Sequence, residues 1–289
     1  MILGWNYPLL QPKRRCDKRG ASGAHPLPAD MDLQPFAPLE PSAPDARPIA
    51  VSVVLPMLNE AENAAPLIAE IVAAFGARRD WEIVCVDDGS ADDTAERVFA
   101  LMRTTPTLRL VRHARRAGQS AAIGTGVRFA RGATVVTLDG DGQNDPADIP
   151  RLLAAWQAAL ERERLMIVGF RARRRDSGLK RFSSRVANAV RAGILGDDTP
   201  DTGCGLKVFA RAAFLALPAF DHMHRFLPAL MLRAGGRVQS IPVNHRPRTR
   251  GRSNYGTFDR LWIGIVDLFG VMWLGRRRLA ADAREEPRP

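Results

Sequence analysis

From residue 49 onward, short apolar runs alternate with longer stretches whose apolar residues recur every three or four positions. Short apolar runs favour strands buried on both faces, and the longer spacing favours amphipathic helices. We therefore predict an α/β fold with a mostly parallel central sheet flanked by helices, and ligands beyond the carboxyl ends of the strands. The predicted strands are 49–55, 81–86, 108–111, 133–138 and 166–169, and the predicted helices are 64–75, 94–102, 120–128 and 146–162.

The later half of the chain follows this alternation less regularly. Helices are predicted near 180–195 and 224–234, and strands near 205–208 and 237–243. The first 48 residues hold 9 of the 21 prolines and show no sustained periodicity, which is typical of a disordered segment. The predicted organisation is a disordered leader over 1–48, an α/β domain over 49–255, a helix within 256–280 and a disordered tail over 281–289.

Charge and cysteine content narrow the functional classes. The 42 basic and 31 acidic residues give a net charge of +11, which favours an anionic partner such as nucleic acid, a phosphate ligand or an acidic membrane. The 3 cysteines lack CxxC and Cys/His spacings, so they indicate neither a disulfide framework nor a zinc site. The sequence has neither the ~20 apolar residues of a spanning helix nor a secretory signal, so the expected location is cytoplasmic.

Acidic residues follow three of the predicted strands. Glu60 comes after the first strand, Asp87 and Asp88 after the second, and Asp139 and Asp141 after the fourth. Parallel strands end at one sheet edge, where these acids would repel one another unless a cation or ligand compensates them. The last of these ends reads Asp-Gly-Asp-Gly-Gln and offers the hard oxygen ligands that Mg²⁺ and Mn²⁺ prefer. Its alternative interpretation is an ordinary Asp/Gly turn.

Four segments, in this order, resemble the motifs of glycosyltransferase family 2, whose fold is the GT-A nucleotide-sugar fold. They are Val54–Glu60, Val86–Asp92, Asp139–Gln143 and Asp201–Lys207. The last, Asp-Thr-Gly-Cys-Gly-Leu-Lys, is similar to the polyprenyl-phosphate branch, typified by dolichol-phosphate mannosyltransferase. The resemblance covers about residues 49–255, and four ordered motifs are far more specific than one.

By this resemblance, the donor would be a nucleotide sugar, GDP-mannose or a UDP-sugar, with Mg²⁺ or Mn²⁺ bridging its diphosphate. Asp139, Asp141 and Gln143 would hold the metal, and Asp139 would also face the nucleotide. Gly118 would permit close backbone approach to a phosphate at a helix amino end. The nucleotide-sugar-binding residues that the resemblance implies are Pro56, Leu58, Glu60, Val86, Asp87, Asp88, Gly118, Asp139 and Gly140.

The same resemblance implies a polyprenyl phosphate acceptor, dolichyl or undecaprenyl phosphate. Arg171 resembles the arginine that meets the donor and acceptor phosphates, and its planar fork suits phosphate oxygens. The segment Arg248–Asn254 aligns with an Arg-x-x-Gly-x-Ser-Lys motif, except that Asn254 replaces the lysine. The implied catalytic residues are Asp141 and Arg171, and the implied acceptor and phosphate contacts are Arg171, Lys207, Arg225, Arg248 and Arg252.

An apolar stretch over 261–274, followed by three arginines, predicts a C-terminal helix. About 14 helical residues span only ~21 Å, which is shorter than the ~30 Å hydrocarbon core of a bilayer. With Trp262 and Trp273, the stretch favours a helix lying on the membrane surface. The alternative is packing on the domain or in a homodimer. The first interpretation predicts a peripheral protein on the cytoplasmic face of the membrane.

The predicted reaction is displacement at the anomeric carbon, with inversion, by an acceptor phosphate oxygen. A phosphate is already ionised at neutral pH, so no strong general base is required. One alternative is a sugar-phosphate nucleotidyltransferase, although that class usually has a Gly-rich basic loop after the first strand, and this chain has Pro56–Glu60 there. The other is a non-catalytic basic nucleic-acid-binding protein, but aromatic residues are only 7% and no recognition motif is present, so we expect no nucleic-acid partner.

Overall fold

The computed structural model describes residues 48–171, 193, 195–197, 199–247 and 257–277. Within them, seven strands form one sheet in the order β3-β2-β1-β4-β6-β5-β7. All neighbouring pairs are parallel except those of β6, which runs antiparallel to β4 and β5. The strands are β1 Val51–Met57, β2 Trp81–Asp87, β3 Leu108–Arg112, β4 Thr134–Thr137, β5 Leu165–Arg171, β6 Lys207–Ala210 and β7 Arg237–Val243.

Helices cover both faces of the sheet. In β1, Val53 and Leu55 face a core layer that includes α1, α2 and α4, whereas Val54 faces the layer of α3, α5, α6 and α7. This alternation follows from the two-residue period of a strand. The helices are α1 Ala61–Phe75, α2 Thr94–Leu101, α3 Gln119–Phe129, α4 Ile149–Ala158, α5 Arg211–Leu215, α6 Leu227–Arg233 and α7 Thr257–Gly275, with single 3-10 turns at Pro146–Asp148, Arg162–Arg164 and Met223–Arg225.

The antiparallel strand β6 brings a further chain segment to the site edge. A strand that runs against its neighbours begins where they end, so Lys207, at the start of β6, pairs with Thr137 at the end of β4. The residues that precede β6 therefore lie at the carboxyl edge of the sheet, together with the ends of β1, β2, β4 and β5. The predicted fold class, a mostly parallel sheet flanked by helices, is confirmed.

Several predicted boundaries were wrong. The helix predicted over 146–162 ends at Ala158, because Ala159 is extended and Glu161 takes a left-handed φ of 54° before the chain enters β5. The helix predicted at 224 starts at Leu227, after the turn Met223–Arg225 and with a proline in its first turn. The short helix α5 was not predicted, and the helix predicted near 180–195 lies largely outside the described residues.

The C-terminal helix α7 has 19 residues, five more than the stretch predicted from apolar residues alone. Its buried Val271 joins the core layer of α6, and Arg233 donates hydrogen bonds to the carbonyl oxygens of Leu274 at 2.8 Å and Arg277 at 3.0 Å. None of the described helices combines the length and the apolar character needed to cross a bilayer.

Candidate active site

The loop after β4 carries the acidic pair Asp139 and Asp141. Asp139 is half-buried, and its Oδ1 accepts a hydrogen bond from the Gln119 side chain at 2.9 Å. Its backbone N–H donates to Asn144 Oδ1 at 3.3 Å. A Cβ atom on Gly205 would overlap its carboxylate. Three different parts of the chain therefore define where the Asp139 carboxylate lies.

The protonation of Asp139 depends on its burial and on its acidic neighbour. Burial and the negative charge of Asp141 raise the pKa of the Asp139 carboxyl to about 6, and the positive charges of Lys207 and Arg171 oppose this rise. Ionising both acids together is therefore unfavourable, and a bound cation would remove that cost. This pair has the electrostatic character of a cation site.

Asp141 and Gln143 are connected within the same loop. The Gln143 N–H donates to Asp141 Oδ1 at 3.1 Å, and Gly142 between them takes a φ of 71°, which glycine adopts readily. Nowhere in the described residues do three or more His, Cys, Asp or Glu side chains group as a metal site would require. A cation held by Asp139, Asp141 and Gln143 would therefore complete its coordination with substrate or water oxygens, as Mg²⁺ commonly does.

The loops after β1 and β2 are bound to each other. Asn59 takes a left-handed φ of 55°, its N–H donates to Ser90 Oγ at 2.9 Å, and its Oδ1 accepts from the Ala91 N–H at 2.8 Å. The Glu60 N–H donates to Thr94 Oγ1 at 2.9 Å. These hydrogen bonds join two of the three acidic strand ends into one rim of the site.

Asp88 organises the loop that leads into α3. Its carboxylate accepts hydrogen bonds from the backbone N–H groups of Ala117 and Gly118, both at 2.8 Å, and lies 2.7 Å from His113 Nδ1. Gly118 has a φ of 96° at the start of the helix. Asp88 is only 3% exposed, and its carboxylate supports this loop. The predicted contact of Asp88 with the nucleoside stays a prediction.

Two further nucleoside contacts implied by the resemblance are buried. Val86 is completely buried in a cluster with Val84 and Ala122 of α3, so its side chain belongs to the core and not to a pocket. Asp87 is 2% exposed, and its Oδ2 lies 3.8 Å from Arg112 Nε. The last residues of this central strand are covered by helices, so both side chains are buried, and their part in nucleotide binding stays a prediction.

Other expected donor contacts lie at the rim. Leu58 and Glu60 are partly exposed, and Glu60 Oε2 accepts a hydrogen bond from Asn63 Nδ2 at 2.6 Å. Pro56 is buried, and its carbonyl oxygen approaches so closely to Gly140 that a Cβ there would lie 2.7 Å away. Gly140 therefore lets the loop at 139–145, called the metal loop below because it carries the predicted metal ligands, pass directly over the end of β1.

Arg171, at the end of β5, forms a two-pronged ion pair with Asp201. Arg171 Nε and Nη2 donate to the two Asp201 oxygens at 2.5 and 2.8 Å, and the Arg171 N–H donates to Oδ2 at 3.3 Å. The hydrogen bonds to Asp201 raise the pKa of Arg171 above its ordinary value, so it stays charged. Asp201 therefore fixes the guanidinium plane at the edge of the sheet.

The remaining basic residues of the predicted acceptor site differ in exposure. Lys207 is 4% exposed and its ammonium donates to the Cys204 carbonyl oxygen, so it lies beneath the site and not at an open phosphate position. Arg225 is partly exposed in the turn Met223–Arg225. Arg248 and Arg252 lie outside the described residues.

The turn that carries Arg225 is attached to α3. Ser120 Oγ lies 2.7 Å from His224 Nδ1 and accepts the His224 N–H at 3.2 Å. Burial lowers the pKa of His224 to about 3, so the imidazole is neutral at physiological pH. Arg225 is thereby held near the amino end of the helix that begins just after Gly118.

Three residues that shape this site were not among our predicted site residues. Gln119 contacts Asp139, Asp201 orients Arg171, and Gly205 leaves room for the Asp139 carboxylate. Asp201 and Gly205 both belong to the fourth motif, whose position in the chain was the one available signal. Gln119 directly follows Gly118, but nothing in its sequence context indicates the contact.

The chain matches the model of glycosyl transferase family 2 over residues 52–217. It is 36% identical over 234 residues to the dodecaprenyl-phosphate galacturonate synthase of Rhizobium johnstonii, covering 79% of this chain and 68% of that protein. It is also 35% identical to the undecaprenyl-phosphate 4-deoxy-4-formamido-L-arabinose transferase of Edwardsiella ictaluri, covering 71% of this chain and 63% of that one. The chain thus spans about two thirds of the length of these relatives.

Solved structures share the architecture. The glucosyl-3-phosphoglycerate synthase of Mycobacterium tuberculosis, in complex with Mn²⁺, uridine diphosphate and phosphoglyceric acid, superimposes with a TM-score of 0.58 at 21% identity over 78% of each chain. A complex of the same enzyme with Mg²⁺ and uridine diphosphate gives a TM-score of 0.57 at 20% identity. At this identity the likeness shows the fold alone. The chain belongs to glycosyltransferase family 2, and it is a glycosyltransferase with the GT-A fold.

Proposed function

We propose that this chain moves a hexosyl group from a nucleotide sugar, GDP-mannose or a UDP-sugar, to a polyprenyl phosphate, with the domain at 49–255 as the catalytic unit. The observation that carries the proposal is the meeting of the acidic pair Asp139 and Asp141 with the Arg171–Asp201 ion pair at one sheet edge. The relatives named above act on dodecaprenyl or undecaprenyl phosphate. An acceptor of this class, dolichyl or undecaprenyl phosphate, is therefore proposed here.

The donor side of the site is formed by the rim and the metal loop. Glu60, Leu58 and the backbone around Gly118 border the nucleoside side, and Asp139, Asp141 and Gln143 would hold Mg²⁺ or Mn²⁺. When bound, the cation would neutralise the departing nucleoside diphosphate. Support for this assignment comes from the raised pKa of Asp139 and from the partial set of oxygen ligands, which leaves room for diphosphate oxygens.

The acceptor side depends on Arg171. Asp201 accepts hydrogen bonds from the Nε and Nη2 groups of Arg171. This ion pair fixes the plane of the guanidinium and therefore the direction in which Nη1 points. A guanidinium held in this way can orient phosphate oxygens of donor and acceptor in line with the anomeric carbon. The attacking phosphate oxygen is already ionised, so positioning and charge neutralisation account for catalysis, and the reaction inverts the anomeric centre.

Replacing Asp141 with asparagine tests the proposal. We expect Asp141→Asn to lower transfer from a UDP- or GDP-sugar to undecaprenyl phosphate by about 100-fold or more, since it removes charge that would hold the cation. Transfer is measured with radiolabelled donors, chosen by a thermal-shift panel of nucleotide sugars with Mn²⁺. Excess chelator should have the same effect on the unaltered protein.

Asp93→Asn is the matched control, because Asp93 is an exposed acid that pairs with Arg97 on α2. It should transfer at the rate of the unaltered protein. Full activity of Asp141→Asn, or activity that persists in excess chelator, would contradict the metal assignment. Absence of transfer to any polyprenyl phosphate, with transfer to another acceptor, would contradict the acceptor assignment.

We further propose that α7 binds the cytoplasmic face of a membrane, beside the lipid substrate. Val266, Phe269 and Trp273 recur at helical spacing and are each more than half exposed, whereas Val271 on the opposite side is buried. The Arg277 guanidinium lies 5.0 Å from the Trp273 ring, so cationic and aromatic groups adjoin. Such a face suits the headgroup region of an anionic bilayer.

The unpaired thiols of Cys85 and Cys204 fit a reducing compartment, as expected for a protein at the cytoplasmic face.

Vesicle binding tests this second proposal. Cosedimentation with phosphatidylglycerol vesicles should fall several-fold when Phe269 and Trp273 are both changed to serine, because the buried apolar area is lost. Phe99→Ser, which alters another exposed aromatic residue on α2, should leave binding unchanged. If the alternative homodimer were correct, the paired serine change would instead reduce the molar mass measured by light scattering without altering vesicle binding.

A further inference from the structure

The segment after β7 is attached along the metal loop. The Arg246 N–H donates to the Gln143 carbonyl oxygen at 2.9 Å, and Asn144 and His245 form an antiparallel bridge. The Asn244 N–H donates to Asp148 Oδ2 at 2.7 Å. Residues 244–246 therefore run beside the loop as a short added ladder, although they are about one hundred positions away in the sequence.

The Arg246 side chain closes this ladder with a two-pronged bridge. Nη2 contacts Asp145 Oδ1 at 2.7 Å, and Nη1 contacts Glu70 Oε2 of α1 at 2.6 Å. The same Asp145 oxygen accepts the Ala147 N–H at 3.0 Å and begins the turn Pro146–Asp148. One guanidinium thus joins α1, the end of the metal loop and the segment after β7.

The two acidic residues of the metal loop make contacts from outside the loop important for its conformation. Asp139 and Asp141 are two carboxylates separated by one residue, and like charges so close in one loop favour an open arrangement unless contacts from outside hold the loop. Arg246 contacts neither acid of that pair in the described contacts, but it holds Gln143 from outside through its backbone and Asp145 through its side chain.

We propose that Arg246 is a positioning residue that holds Asp141 and Gln143 in their cation-binding arrangement. The inference rests on the function proposed above, because it assumes that this loop binds the cation. Groups that orient metal ligands from outside typically change metal affinity by 10–100-fold when removed. The proposed action of Arg246 is through the loop, since its described contacts are with Gln143, Asp145 and Glu70.

The direction in which Mn²⁺ affinity changes when Arg246 is replaced separates a positioning role from a purely electrostatic one. Arg246 is a cation close to a cation site, so removing its charge alone would strengthen Mn²⁺ binding. Loss of positioning would weaken it. A lysine keeps the charge but offers a single ammonium in place of a fork that reaches two carboxylates, so it cannot form the same bridge.

The experiment measures Mn²⁺ binding to the purified full chain by the electron paramagnetic resonance signal of free Mn²⁺. We expect Arg246→Met to weaken binding about tenfold, and Arg246→Lys to weaken it by a smaller factor. Arg237→Met is the matched control: Arg237 lies on β7, more than half exposed, beside Glu161 and the Leu160 carbonyl. It should bind Mn²⁺ as the unaltered chain does.

Unchanged or tighter Mn²⁺ binding by folded Arg246→Met would overturn the inference, as would equal weakening by Arg237→Met. Binding by Arg246→Lys equal to that of the unaltered chain would show that the two-pronged bridge is not required and would also overturn the inference. Where Arg246→Met does not fold, the lysine variant carries the test. Asp141→Asn is measured alongside: if it binds Mn²⁺ normally, the proposed metal site fails, which is a separate result from a failure of Arg246.

Discussion

At the scale of single residues, Asp139 carries the clearest conflict between stability and function. Its carboxyl is held where burial and Asp141 disfavour ionisation. A carboxyl whose pKa rises on folding, here from about 4 to about 6, stabilises the folded state most when protonated. That contribution is lost as the pH rises through this interval. Without a cation, the ionised site therefore destabilises the protein at neutral pH.

We predict that Asp139→Asn removes this pH dependence. Relative to the variant, the unaltered protein should lose on the order of 2 kcal/mol of unfolding free energy between about pH 4 and about pH 7. Urea unfolding of both proteins at each pH, in the presence of chelator, measures the difference. A difference that stays constant with pH would show that the pKa of Asp139 is ordinary in the folded state.

At the scale of elements, the site depends on loops held by buried acceptors. The loop at 113–118 has no regular secondary structure, yet it is anchored by the Asp88 carboxylate through the N–H groups of Ala117 and Gly118. Asp88 itself is fixed at the end of β2 by its own N–H, which donates to the Met57 carbonyl oxygen at 2.9 Å. The sheet thus determines the position of the loop through one side chain.

We predict that Asp88→Ala loosens this loop. Two N–H groups lose their acceptor, so the free energy of unfolding should fall by roughly 1–3 kcal/mol. Hydrogen exchange at Ala117 and Gly118 should accelerate, and affinity for the nucleotide should fall. Asp88→Asn, which keeps one acceptor oxygen, should show smaller changes. Unaltered exchange at both amides in the alanine variant would contradict the anchoring role.

At the scale of the whole molecule, a buried polar network and the candidate site lie at opposite edges of the sheet. Glu82, near the start of β2 and 2% exposed, accepts hydrogen bonds from Ser52 Oγ and the Arg131 N–H, both at 2.7 Å, and from Arg109 Nη1 at 2.8 Å. This network joins three strands and the turn before β4. It lies at the amino ends of the strands, away from Asp139.

We predict that Glu82→Ala destabilises the protein without altering the site. The change leaves the Arg109 guanidinium without its carboxylate partner and should cost about 3 kcal/mol of unfolding free energy. Urea unfolding measures this loss, and the Mn²⁺ affinity of the folded protein should not change. Glu163→Ala, at an exposed turn, should stay within about 0.5 kcal/mol of the unaltered protein. A Glu82 variant as stable as that control would contradict the role of the network.

The sequence by itself determined the fold class and the family, because apolar periodicity and the order of motifs are local properties of the chain. It also determined that Asp139 and Asp141 follow a central strand and therefore lie at the sheet edge. Strand β7 was predicted with both boundaries correct, since its limits depend on local pattern.

Only the tertiary structure decided which polar groups face the site and which support it. Asp88 and Lys207 were predicted as ligand contacts from their motifs, and the elements around them bury both. Asp201 pairs with Arg171, 30 positions away, because the antiparallel strand β6 brings the segment before it to the same edge. Arg246 pairs with Glu70, 176 positions away, because the segment after β7 returns to α1. The type of a residue determines what its side chain can bind. The burial and the partners of that side chain depend on long-range packing, which no local sequence pattern contains.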